Sequence, residues 1–154
     1  MIAKFVTGIL LPALFLSCNS TGIQIETPVS PQAKTKETPP SQTCYRYTVN
    51  TDTILLNMTR KGDAVTGTLI YHLDGKDKNT GTLKGLIKDD ILLANYSFMS
   101  EGIRSVRQVA FKLNGSTAVE GFQETGTTHD TAYFRDINSL EYNNSMVLTA
   151  VVCK

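Results

Sequence analysis

From Cys44 to Lys154 the chain reads as short runs rich in Val, Ile, Leu, Thr, Tyr and Phe, free of proline and separated by turn dipeptides. Gly62-Asp63, Asp74-Gly75, Asp89-Asp90, Glu101-Gly102 and Asn114-Gly115 recur roughly every dozen residues, the spacing of an antiparallel meander. Residues that face each other across two strands must share a face of the sheet, so each hairpin can be tested by parity. A two-residue turn at Glu101-Gly102 sets Phe98 against Ser105, Tyr96 against Arg107, Ala94 against Val109 and Leu92 against Phe111. A turn at Asp89-Asp90 sets Ile87 against Leu92, Gly85 against Ala94, Leu83 against Tyr96 and Gly81 against Phe98. With a longer turn over Asp74 to Lys78, Tyr71 meets Gly81, Leu69 meets Leu83 and Val65 meets Ile87. A Gly62-Asp63 turn then places Ile54, Leu56 and Met58 against Tyr71, Leu69 and Gly67.

The apolar face survives all of these turns. The opposite face carries Thr66, Thr68, Ile70, His72, Thr82, Lys84, Lys88, Asn95, Arg104 and Gln108, which are mostly polar. One face in and one face out predicts a barrel or a sandwich. Gly67, Gly85 and Ala94 form a row of small residues where a strongly bent sheet allows close approach. Further strands are expected over Cys44 to Val49, Ala118 to Glu124 and, as a buried strand, Met146 to Cys153. Gly126 to Tyr142 lacks a clear period, and Arg135 to Tyr142 is the best short helical candidate.

The first eighteen residues have a different character. Met1-Ile2-Ala3-Lys4 carries one positive charge, Phe5 to Leu16 is almost wholly apolar, and Ser17-Cys18 follows. The run is short for a bilayer span and has the layout of a secretory signal. A small residue directly before a cysteine resembles the bacterial lipoprotein signal. The resemblance implies a signal peptide over 1–17 and an acylated (for instance palmitoylated) Cys18 at the mature N-terminus. Phe15 and Leu16 depart from that pattern, which favours Leu at the first of these positions and a smaller residue at the second. Asn19 to Thr43 is rich in Ser, Thr, Pro, Gln and Lys and holds Pro28, Pro31, Pro39 and Pro40. Such a stretch buries too little apolar surface to fold, so 18–43 is expected to be a lipidated, disordered tether and 44–154 the folded domain.

If Cys18 carries lipid, two of the three cysteines remain, Cys44 and Cys153, near the two ends of the domain. They can bond only if the first and last strands meet, as they do when a sheet closes on itself. The expected fold is therefore all-β, an antiparallel up-and-down meander of about eight strands closing into a small barrel, with a two-sheet β-sandwich as the alternative. The layout resembles the small envelope lipoproteins of Gram-negative bacteria and, by architecture, the membrane-bound inhibitors of c-type lysozyme. The inhibitory loop motif of the latter is not found here. The resemblance implies a lipid-anchored protein of the bacterial cell envelope, at the outer membrane.

Charge and motif narrow the function. The 154 residues carry 15 basic and 14 acidic side chains, and removal of Lys4 with the signal leaves a balanced protein. A nucleic-acid partner would call for a basic face. No nucleophile-elbow or phosphate-cradling glycine pattern occurs, and the only histidines are His72 and His129. Asp74 to Asn79 lacks the alternation of ligands that a calcium loop needs. A non-enzymatic protein without metal or cofactor is expected.

Arg107 is the position with chemistry. It falls on the inward face beside Leu92, Ala94, Val109 and Phe111, with Tyr96 opposite, and an unpaired buried charge costs several kcal/mol. If Asn114-Gly115 turns tightly, Glu120, Phe122 and Glu124 enter the same face, and Glu120 or Glu124 can neutralise Arg107. Two roles remain open for Arg107, Tyr96, Glu120 and Glu124. They form a structural network inside a closed barrel, or the polar floor of a pocket for a small apolar or anionic ligand. At the level of the whole protein the rival to a binding module is a protein-interaction module, such as a hydrolase inhibitor or an envelope accessory.

Overall fold

Turn chemistry fixes most of the hairpins. Asn50, Gly62, Asp89, Asp90, Glu101, Gly102 and Gly115 all have positive φ, the backbone twist that joins right-handed strands through two-residue turns. The computed structural model describes residues 39–143 and 145–154. The expected signal peptide, the Cys18 lipid site and the tether up to residue 38 lie outside the described residues.

The strands are β1 (Ser41–Val49), β2 (Asp52–Lys61), β3 (Ala64–His72), β4 (Asn79–Lys88), β5 (Ile91–Ser100), β6 (Ile103–Asn114), β7 (Thr117–Gly121), β8 (Thr125–Thr128), β9 (Thr131–Phe134) and β10 (Leu148–Val151). Strands β1 to β7 pair in sequence, and β10 closes the ring between β7 and β1. The fold is thus an eight-stranded antiparallel barrel with two extra strands, and the sandwich alternative falls because no sheet edge separates β1 from β7. The disulfide between Cys44 and Cys153 forms across this closure, with Cα atoms 5.3 Å apart.

The registers of β2–β3, β4–β5 and β5–β6 are those expected from their two-residue turns. The register of β3–β4 is not. Tyr71 pairs with Asn79, Leu69 with Gly81 and Val65 with Gly85, a shift of two residues. The cause is the connecting loop: Lys76 N–H donates to Leu73 O at 3.0 Å, and Asp74 N–H donates to the Asp52 carboxylate at 2.6 Å. These bonds hold residues 73–78 outside the ladder, so strand pairing starts farther from the loop tip. A shift of two preserves parity, and the inward face is unchanged.

That face builds one core. Ile54, Leu56, Leu69, Leu92, Tyr96, Phe111, Ala118 and Leu148 are wholly buried, each large side chain contributing about 1.5–3 kcal/mol relative to exposure. Gly85 shows how tightly the wall bends. A Cβ on it would lie 2.5 Å from Ala94 Cα and 2.6 Å from Ala94 Cβ.

Five features differ from expectation. Strand β1 begins at Ser41, directly after Pro40, because the length of β2 supplies partners for Ser41, Gln42 and Thr43. Strand β7 stops at Gly121, where the Tyr142 ring packs against the bare Cα, and Phe122 then bridges to Glu141. Strand β10 buries only Leu148, not a whole apolar run. The region expected to be irregular contains the β8–β9 hairpin, whose turn is His129-Asp130, both with positive φ. Strand β9 runs parallel to β6 at Val106 and Arg107, occupying the β6 edge that β7 has left. The expected short helix is one 3-10 turn, Ile137–Ser139, capped by the Asp136 carboxylate accepting from Asn138 N–H.

Candidate functional site

Strand parity carries Arg107 into the barrel, and three aromatic rings receive it. Its guanidinium carbon lies 5.1 Å from the Tyr71 ring centroid and 5.7 Å from those of Tyr96 and Phe98. Tyr96 and Phe98, two residues apart on β5 and on one face, stack at 4.8 Å, while Tyr71 meets Tyr96 edge-on at 5.9 Å. The rings offer their negative faces to a cation, so Arg107 is held by cation–π contact.

Glu120 comes from the far side. The turn at Gly115-Ser116 pairs Phe111 with Glu120, one residue along from the expected turn on each strand but of the same parity. Glu120 is 5% exposed and accepts a 2.6 Å hydrogen bond from the Tyr71 hydroxyl. Among the described residues, Arg107 makes no hydrogen bond and no ion pair within 4.0 Å, and its Nε is buried without a partner. The Tyr96 hydroxyl and the Asn79 side-chain oxygen are likewise buried and unpartnered. Unsatisfied buried polar groups are uncommon and each costs about 1–3 kcal/mol.

Above this floor opens a cavity of about 390 Å³. Leu73, Phe122 and Met146 supply apolar wall, and Lys76, Asp77 and Asn79 come from the β3–β4 loop and its edge. The long loop that shifted the register thus also forms part of the rim.

Burial dominates the electrostatics. It pushes the Glu120 carboxyl above its ordinary range, against the opposing pull of the Tyr71 hydrogen bond and the Arg107 charge. It raises Tyr71 well above the usual phenol value, with the Glu120 charge adding to the rise, and pushes Tyr96 up to about 12. A carboxyl whose folded pKa exceeds its unfolded one binds protons more tightly when folded, so its contribution to stability falls as pH rises through that window. Glu120→Gln keeps an acceptor for Tyr71 and removes the titration. It is expected to flatten the pH–stability curve above the ordinary carboxylate range and to gain stability at neutral pH relative to the parent, as urea midpoints across that pH range would show.

No family model, curated protein or solved structure matches this chain.

Of the residues expected at the site, the fold brings Arg107, Tyr96 and Glu120 together. It does not bring Glu124, which follows the end of β7, lies exposed, and faces Arg135 at 3.5 Å. Tyr71, Phe98 and Asn79 were not expected there. Parity places Tyr71 and Phe98 on the inward face, and Phe98 keeps its expected register beside Arg107 on β5–β6. Tyr71 reaches the site across the barrel interior, which pairing of neighbouring strands does not report.

Proposed function

We propose that this chain is a lipid-anchored protein of the bacterial cell envelope, held through Cys18 at the outer membrane. Its barrel is a non-enzymatic binding module for a small apolar or anionic ligand. The observation that carries the binding role is the cavity itself. About 390 Å³ of half-open space ends on a guanidinium that lies against aromatic rings and has no carboxylate oxygen within 4.0 Å among the described residues. That volume falls within the usual range for small-molecule sites, and the lining sets apolar Leu73, Phe122 and Met146 beside convergent polar and charged groups. A purely structural arginine would be expected to find its carboxylate, and Glu120 is close enough to influence it yet bonds Tyr71 instead.

Mass spectrometry of the native protein extracted from envelopes tests the anchoring and the cargo together. It is expected to show acylated Cys18, the Cys44–Cys153 bond and a co-purifying small molecule. An unmodified Cys18 would overturn the anchoring. Arg107→Met keeps the apolar stem and removes the charge. It is expected to weaken binding of the co-purified molecule about tenfold or more, the scale of one charge-assisted hydrogen bond. Binding undiminished in the face of altered stability would return Arg107 to a structural role.

A further inference from the structure

The charges around the cavity point to its occupant. Among the described residues no carboxylate oxygen lies within 4.0 Å of the Arg107 guanidinium. Glu120 is the one charged side chain that is buried among the described residues, and one of its oxygens is used by Tyr71. Around Glu120 stand Tyr71 from β3, Tyr96 from β5 and Arg107 from β6, while β10 contributes only apolar Leu148. Lys76 and Asp77 line the same cavity from the β3–β4 loop and offset each other.

With Glu120 ionised, the floor holds one positive and one negative charge, and an entering anion meets repulsion in a confined site. With Glu120 protonated, the floor carries a single positive charge, and the Arg107 guanidinium that lines the cavity has an acceptor to gain. Leu73, Phe122 and Met146 then cover a short apolar body.

We infer that the cavity takes an organic monoanion with a short apolar body, and that the anion enters together with a proton bound by Glu120. This rests on the reading of the cavity as a ligand site. Burial already biases Glu120 toward its acid form, so the proton is taken up readily. Proton-linked binding tightens as pH falls, by up to tenfold per pH unit between the carboxyl's free and bound titrations.

Hexane-1-sulfonate is the probe, because it stays ionised throughout and any proton uptake belongs to the protein. Titration calorimetry of the full chain at pH 5 and pH 7.5, in buffers of different ionisation heat, is expected to show tighter binding at pH 5. It is also expected to show uptake of up to one proton on binding at pH 7.5. Glu120→Gln is expected to bind the sulfonate at pH 7.5 as tightly as the parent does at pH 5, with no proton uptake. The parent's own proton count answers the question even if that variant folds poorly. Equal or tighter binding of hexanol or hexyltrimethylammonium, or sulfonate binding with no pH dependence, overturns the inference and leaves the ligand site standing. Absence of binding by all three probes overturns both.

Discussion

Replacing both Cys44 and Cys153 by serine is expected to cost about 4–5 kcal/mol of stability. The two residues are 109 positions apart, and loop-closure entropy removed from the unfolded chain grows with the logarithm of that span. A loss of this size in a domain of this length corresponds to a fall in Tm of about 15–25 °C. The native side of the balance points the same way. Strand β10 has four residues, joins β7 through two residue pairs and β1 through three, and buries only Leu148. Little else holds it when the bond is absent. Thermal melts of the oxidised parent and the double serine variant check this, and a difference below about 1 kcal/mol would mean that strand pairing alone closes the ring.

Gly85→Ala is expected to cost about 3 kcal/mol or more, the range in which a named steric conflict is required. Elsewhere a glycine in a strand is a weakness, and alanine gains about 0.4–1 kcal/mol where the backbone accepts it. Here the new methyl would meet the Leu93 carbonyl and the Cα and Cβ of Ala94. None of these groups can rotate away, so β4 and β5 would have to separate at this point of close approach. The sign is the test. Urea midpoints that rise on substitution would show that the strands do not approach as closely as described.

Two-residue turns explain why so much of the barrel was legible in the residues. Asp89-Asp90, Glu101-Gly102 and Gly62-Asp63 leave no freedom in register, so Tyr96 opposite Arg107 followed directly from counting. The β3–β4 loop has freedom, and besides the local turn bond from Lys76 N–H to Leu73 O it is fixed by the bond from Asp74 N–H to the Asp52 carboxylate, 22 residues away in sequence. Counting through that loop therefore preserved faces but lost height. The meeting of Tyr71 with Glu120 was not legible because it depends on the closure through β10, whose pairing no turn reports. Glu124 failed for a related reason. The alternation of Glu120, Phe122 and Glu124 runs past the true end of β7, which is imposed by the Tyr142 ring on Gly121 from far along the chain. The β8–β9 hairpin left no signal because Thr125-Gly126-Thr127-Thr128 has no apolar face of its own. Its structure comes from the bare edge of β6.

The direction of β1 has a mechanical meaning. Ser41 and Thr43 stand at the pole that also carries Arg60, Asp90 and Gly115, while the space above Arg107 opens at the other pole. The backbone arrives at the first pole through β1 and returns to it through β10, where Cys44 and Cys153 lock the two together. A pull transmitted along the segment preceding Ser41 loads that locked seam and spares the rings that surround the guanidinium. On the proposed anchoring, the molecule is a cup held by its foot, with its brim turned away from the anchor.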